Sequence, residues 1–277
     1  MNYRHAYHAG NFADVVKHVA LAAVLLHLRK KDKPFRVIDT HAGRGLYDLT
    51  AGEAARTAEA QGGIARLVDL DTAQVPPSLA AYLDCVRAEG EGRYPGSPRL
   101  AARLLRAQDR LVAIEKHPEE EAALVHSLAP FTNAKTVRAD GYERLPALLP
   151  PPERRGLVLI DPPYEAPDEF ANAAALLARA HRRFATGTYV LWFPLKSKPA
   201  ADALCGEIVA HGIKSAARVD IAVDGEQSDG RLSSAGLLVV NPPYGFGDEM
   251  RAVAHVIAPR LGRNAPAQIS TLDVAAL

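Results

Sequence analysis

Four apolar runs in this chain each end in an acidic residue at the start of a turn. In chain order they are Phe35 to Asp39, Asp109 to Glu115, Lys135 to Asp140 and Gly156 to Asp161. Each is short, and helical spacing separates the later three. Strand-helix alternation of this kind predicts an α/β fold with a mostly parallel sheet and helices on both faces. In such sheets ligands bind beyond the carboxyl ends of the strands. One acid at a strand end carries little information, but four in order place Asp39, Glu115, Asp140 and Asp161 along one edge of one sheet.

The fourth run is the most specific. Leu157-Val158-Leu159-Ile160 leads into Asp161-Pro162-Pro163-Tyr164. An acid and a rigid carbonyl at that place can accept the two hydrogens of an exocyclic amine, whose lone pair is otherwise delocalised into its ring. The prolines fix φ and remove N–H donors, which holds the Pro162 carbonyl in place. The Tyr164 ring can stack on a base. The pattern fits transfer to an amino nitrogen such as N6 of adenine. A second copy, Asn241-Pro242-Pro243-Tyr244, also follows an apolar run. Residues 216–223 and 235–240 read as a terminal antiparallel hairpin, so this second motif is expected at the sheet edge, away from the cofactor, as a strand-ending turn.

The turn Thr40-His41-Ala42-Gly43-Arg44-Gly45 lets backbone approach a ligand, and His41 is expected to line the pocket. It is not a dinucleotide fingerprint, because the third glycine would fall at Asp48 and the ribose-reading acid lies far downstream at Glu115. S-adenosylmethionine carries no pyrophosphate and does not need that geometry. Glu115 can accept its ribose hydroxyls and Asp140 its adenine amine, while Gly141 leaves room for the ring. Residues 46–96 are Ala-rich, Gly-punctuated and acidic, and read as a small helical subdomain inserted in a single domain spanning 1–277. Upstream, Asn11 caps a helix with Asp14 in its first turn, running to about Arg29.

Bulk properties narrow the classes further. The chain has 277 residues, 48% of them hydrophobic, and a net charge of +1, which are ordinary globular values. No apolar run reaches the length of about 18 residues that a membrane helix needs. The polar start lacks a secretory signal, and Cys85 and Cys205 form no framework, so a reduced cytoplasmic setting is expected. Residues 1–34 hold six Lys/Arg against two Asp, and Arg179 to Lys198 holds five basic residues and no acid. These patches fit a phosphate backbone gripped at one face. His5, His8 and His18 lack carboxylate or cysteine partners at ligand spacing, so no metal is expected. His18, taken alone, reads as solvent-facing.

The block from Asn2 to His18 resembles the start of the RlmJ family, the bacterial 23S ribosomal RNA adenine-N6 methyltransferases. Asp39-Thr40-His41-Ala42-Gly43, Tyr94-Pro95-Gly96-Ser97-Pro98, Arg154 to Glu165 and Arg183 to Gly187 resemble it too. The resemblance runs to about Tyr244. It is weaker across 47–93 and after Gly245. It implies a Rossmann-like class I methyltransferase sheet using S-adenosylmethionine. By matching motif, it implies that His18, His41, Ser97, Glu115, Asp140 and Gly141 contact the cofactor. Asp161 would be the catalytic acceptor, with Pro162 and Tyr164 beside it, and Tyr3 would contact the RNA. A monomer acting on 23S ribosomal RNA is expected. The motif alone also admits DNA adenine or protein glutamine as the amine.

Overall fold

A computed structural model describes residues 7–50, 57–195, 198–223, 232–262 and 265–273. Tyr3 and His5 lie outside the described residues, as does Lys196 of the second basic stretch.

The chain enters through helix α1 (Phe12–Arg29). Asn11 is its cap, and its Oδ1 accepts the Asp14 amide at 2.9 Å. The strands follow as β1 (Arg36–Asp39), β2 (Leu46–Asp48), β3 (Arg93–Pro95), β4 (Arg110–Glu115), β5 (Ala134–Arg138), β6 (Gly156–Ile160), β7 (Thr188–Pro194), β8 (Ala216–Ala222), β9 (Ser234–Val240) and β10 (Gln268–Asp273). Eight of them form one sheet in the order β10-β8-β9-β7-β6-β1-β4-β5. From β1 the chain builds outward through β4 and β5, then returns to build the other side from β6. The neighbours β1 and β6 therefore flank the point where strand order reverses, which is where doubly wound sheets bind ligands.

Burial on both sides is visible along single strands. Leu157 and Leu159 of β6 join the core that α1 covers, while Val158 and Ile160 join the core under helices α6 (Glu169–Arg183) and α7 (Lys198–Ala210). That alternation is the two-residue period of a strand, and burial on both faces explains the continuous apolar run.

The last strands differ from the expected terminal hairpin. Strands β8 and β9 do pair antiparallel, but β9 inserts between β7 and β8 and is antiparallel to both. Helix α8 (Phe246–Leu261) and edge strand β10 then follow. The carboxyl end of β9 is thus not at a sheet edge. It lies at the opposite end of the sheet from Asp161, because Val240 pairs with Tyr189 near the start of β7. Asn241 is used structurally there: its Nδ2 donates to the carbonyls of Ala185 and Gly187, at 2.8 and 2.7 Å.

The segment 46–96 is not purely helical. It holds helix α2 (Pro77–Arg87), short 3-10 turns and a two-stranded antiparallel ribbon of β2 and β3. Tyr82 and Tyr94 from this segment are fully buried against α1. Helix α3 (Ser97–Leu104) returns the chain to the sheet.

The described basic residues of the first stretch are spread along α1 and beyond its carboxyl end. Helix α1 is buried along most of its length, and Lys30, Lys31 and Lys33 lie beyond its carboxyl end, just before β1 begins. At about 1.5 Å per residue they stand some 20 Å from Lys17, toward the end of the sheet opposite the strand-end acids. Arg106 and Arg155 flank the Phe35 ring there and donate to carbonyls around that helix end. Their positive charge complements the end of the helix dipole. In the second stretch, Arg179 and Arg183 donate to the carbonyls of Tyr142 and Leu149.

Candidate active site

A cavity of about 390 Å³ opens at the carboxyl ends of β1, β4, β5 and β6. His18, His41, Ser97, Glu115, Asp140, Gly141 and Asp161 all line it. Lys17, Tyr47, His117, Tyr142, Glu169 and Asn172 complete much of the wall, and none of these six was singled out from the sequence.

The first wall is the turn after β1. Thr40 donates to the Leu159 carbonyl through its amide at 3.0 Å and its hydroxyl at 2.9 Å, and the Ala42 amide reaches the Ile114 carbonyl at 2.9 Å. The turn is thereby stitched to the ends of both neighbouring strands. Gly43 has a φ of +60°, a conformation glycine adopts without strain, and a Cβ on it would lie 2.5 Å from the Tyr47 hydroxyl. Its amide donates to Glu115 Oε2 at 2.8 Å, and the His117 amide donates to Glu115 Oε1 at 2.8 Å. Two backbone donors therefore fix the carboxylate at the end of β4. Asp140 caps the short helix α5 (Gly141–Arg144) through the Tyr142 amide and pairs with Lys116 at 2.8 Å. Burial opposes the ionised form of Asp140, yet Lys116 and the Tyr142 amide hold it below the usual carboxylate range. A Cβ at Gly141 would come within 2.2 Å of the Thr40 carbonyl, so only glycine fits against this turn.

The second wall is α1. Lys17 was read only as part of a basic patch, but its Nζ is buried between Asp14 Oδ1 at 2.7 Å and Asp161 Oδ2 at 2.6 Å. Burial disfavours a charged lysine, but the two carboxylates outweigh it and hold the ammonium above its ordinary pKa. His18 is 1% exposed, which corrects the solvent-facing reading. Its Nδ1 meets the Tyr94 hydroxyl at 2.7 Å, the rings stack at 5.6 Å, and Tyr82 continues the chain of hydroxyls at 3.2 Å. The sequence hint for Lys17 was its place three residues after Asp14, among apolar residues rather than on a polar stripe.

Behind the wall, Asp39 is 1% exposed and accepts from the Ser97 hydroxyl at 2.7 Å. Burial pushes its carboxyl up to about 7. Desolvation pushes His41 down to about 4, so its ring is neutral at neutral pH. Pro163 rather than Pro162 lines the cavity, and Pro162 is buried. Tyr164 stands beside the cavity rather than in its wall. Its backbone turns at a φ of +50°, its ring packs on Phe170 at 4.8 Å and Trp192 at 5.7 Å, and its hydroxyl donates to the Trp192 carbonyl at 2.8 Å.

The lining charges are unequal. Glu115, Glu120, Asp140, Asp161 and Glu169 face two lysines, Lys17 and Lys116, and Arg44 pairs with Glu120 at 2.6 Å, which still leaves an acidic excess. An acidic cavity of this size suits a nucleoside that carries positive charge and opposes one that carries a pyrophosphate. S-adenosylmethionine fits, with its sulfonium, ammonium and ribose hydroxyls. His117, in the same wall, has a buried Nδ1 with no hydrogen-bond partner among the described residues.

The family model described as "Ribosomal RNA large subunit methyltransferase D, RlmJ" matches residues 32–271. The chain belongs to the RlmJ family. Two curated RlmJ relatives, each named "Ribosomal RNA large subunit methyltransferase J", are similar over most of their length. The one from Escherichia coli K12 is 39% identical over 257 residues, 91% of either chain. The one from Haemophilus influenzae is 37% identical over 259 residues, again 91% of either chain. A crystal structure of a Legionella pneumophila protein superposes with a TM-score of 0.87 at 32% identity, covering 96% of this chain and 98% of that one. The RlmJ match thus spans every strand of the main sheet, including β8, β9 and most of β10.

Proposed function

We propose that this protein methylates N6 of an adenosine in 23S ribosomal RNA, with S-adenosylmethionine as the methyl donor. The observation that carries the reading is the cavity itself. It joins Glu115, Asp140 and Gly141 to Asp161 in one acidic pocket at the switch point, in a chain of the RlmJ family. The curated relatives' names support ribosomal RNA as the substrate. The Asp161-Pro162-Pro163-Tyr164 chemistry supports an exocyclic amine as the acceptor.

Glu115 would accept the ribose hydroxyls and Asp140 the adenine amine of the cofactor, with His18, His41 and Ser97 completing its site. S-adenosylmethionine, when bound, supplies an electrophilic methyl group. Asp161 accepts one hydrogen of the target amine and the Pro162 carbonyl the other, which directs the nitrogen lone pair. Lys17 keeps Asp161 in one place through the 2.6 Å contact and compensates its charge in a buried setting. The target base leaves its helix at a cost of a few kcal/mol. The partly exposed rings of Tyr164, Phe170 and Trp192 beside Asp161 offer a stacking surface worth roughly 1–3 kcal/mol per base. Tyr3 would contact the RNA from the segment that precedes α1. Much of the acceleration is positional.

Methyl-labelled S-adenosylmethionine incubated with protein-free 23S RNA, then digestion to nucleosides and mass identification, tests the reading. Label in N6-methyladenosine is expected. Label in another nucleoside, or only in DNA or protein offered in competition, overturns it.

A further inference from the structure

Glu59 lies in the inserted segment, yet its carboxylate reaches back to the residues that start α1. Asn11 Nδ2 donates to Glu59 Oε2 at 2.9 Å, and His8 Nδ1 lies 3.0 Å from Oε1. Backbone contacts support the same junction. The Ile64 amide donates to the Gly10 carbonyl at 2.9 Å, and a Cβ on Gly63 would fall 2.1 Å from that carbonyl oxygen. Ala58, just before Glu59, is held at a φ of +52°, a left-handed conformation costly for a residue with a side chain. The backbone is bent at some cost to present Glu59 here.

From that junction the hydrogen bonds continue without a break to Asp161. Asn11 Oδ1 accepts the Asp14 amide at 2.9 Å, and Asp14 Oδ2 accepts the Gly10 amide at 2.9 Å. Asp14 Oδ1 holds Lys17, and Lys17 holds Asp161. Asn11, Asp14 and Lys17 are all buried. Buried polar networks whose members are satisfied rigidify the groups they join, and can be worth more than the sum of their pairs. A lysine has four side-chain torsions, and the two carboxylates hold those of Lys17 at its far end.

We propose that Glu59 is a positioning residue, through which the inserted segment sets the placement of Lys17 and hence of Asp161. The inference rests on Asp161 being the amine acceptor. It gives the insertion a task in turnover besides any contact with RNA: a load on the insertion is felt at the acceptor carboxylate.

Glu59→Ala and Glu59→Gln test this in the full chain with two readouts. In amide hydrogen exchange read by mass spectrometry, Glu59→Ala should raise exchange of the Gly10 and Asp14 amides by about tenfold while β4 and β6 stay protected. In methyl transfer to 23S RNA, it should lower kcat by about tenfold, since small displacements of a reacting group are costly. Cofactor affinity by calorimetric titration and the unfolding midpoint should stay near wild type. Glu59→Gln keeps an acceptor for Asn11 and should restore most of both losses. Unchanged exchange across residues 7–18 overturns the proposal. So does wild-type kcat in Glu59→Ala, or a loss of kcat that only tracks a fall in global stability. If wild type itself labels no RNA, the assignment of function fails instead, while the exchange experiment still decides whether Glu59 holds Asn11 and Asp14.

Discussion

Replacing Lys17 by Met removes the cation that joins two buried carboxylates, Asp14 and Asp161. Its Nζ sits 2.7 Å from Asp14 and 2.6 Å from Asp161, with the side chains of Lys17, Asp14 and Asp161 only 4%, 2% and 14% exposed. Removing one partner of such a buried pair costs about 3–5 kcal/mol, because the remaining charge is left uncompensated. Both carboxylates lose this shared ammonium, so a cost within that range is expected. Asp161→Asn removes a carboxylate instead and leaves Lys17 paired with Asp14, so it should cost less, about 1–3 kcal/mol. The double variant should be more stable than Lys17→Met alone, with a coupling of about 1–3 kcal/mol. Urea unfolding followed by circular dichroism reads all three. A protein of ordinary stability, about 5–15 kcal/mol, stays folded enough at 25 °C for the comparison. Equal costs for Lys17→Met and Asp161→Asn, with no coupling between them, would show that the triad is not a charge-compensated unit.

Further outcomes follow from single residues. Asp39 has its carboxyl raised to about 7 from 3.8, so its ionised form weakens the fold. The penalty is absent below about pH 4, grows through pH 7 and is complete above it, so Asp39→Asn should gain about 2–3 kcal/mol over wild type between pH 5 and pH 8. A pH-independent difference in chemical unfolding would count against a buried, protonatable Asp39. Gly141→Ala forces a Cβ to within 2.2 Å of the Thr40 carbonyl and should weaken S-adenosylmethionine binding, at a cost of about 1–3 kcal/mol by calorimetry. Asn241→Ala loses two hydrogen bonds to backbone carbonyls and should lower stability by about 1–2 kcal/mol, while turnover per folded molecule is retained. Lost turnover in that variant would mean that the second motif takes part in the reaction.

The strand-end acids were legible because each follows its own apolar run, so local pattern was enough to place Asp39, Glu115, Asp140 and Asp161. Strand alternation also gave the parallel sheet. What stayed hidden depends on partners distant in sequence. Lys17 meets Asp161 across 144 residues, and a lysine beside valines carries no local sign of that partner. His18 was misread for the same reason, because Tyr94, which buries it, lies 76 residues away. The ribbon of β2 and β3 has three residues in each strand, too few for a two-residue period to show. Strand β10 lies beyond the last apolar run that was read, and it completes the sheet only by pairing with β8.

The most direct test of the central claim is turnover of Asp161→Ala on 23S RNA, measured beside its affinity for S-adenosylmethionine. A fall in kcat of about 10²-fold or more, with cofactor affinity near wild type, is predicted for an acceptor that acts on the target amine. Wild-type turnover, or a loss explained entirely by weaker cofactor binding, would contradict it.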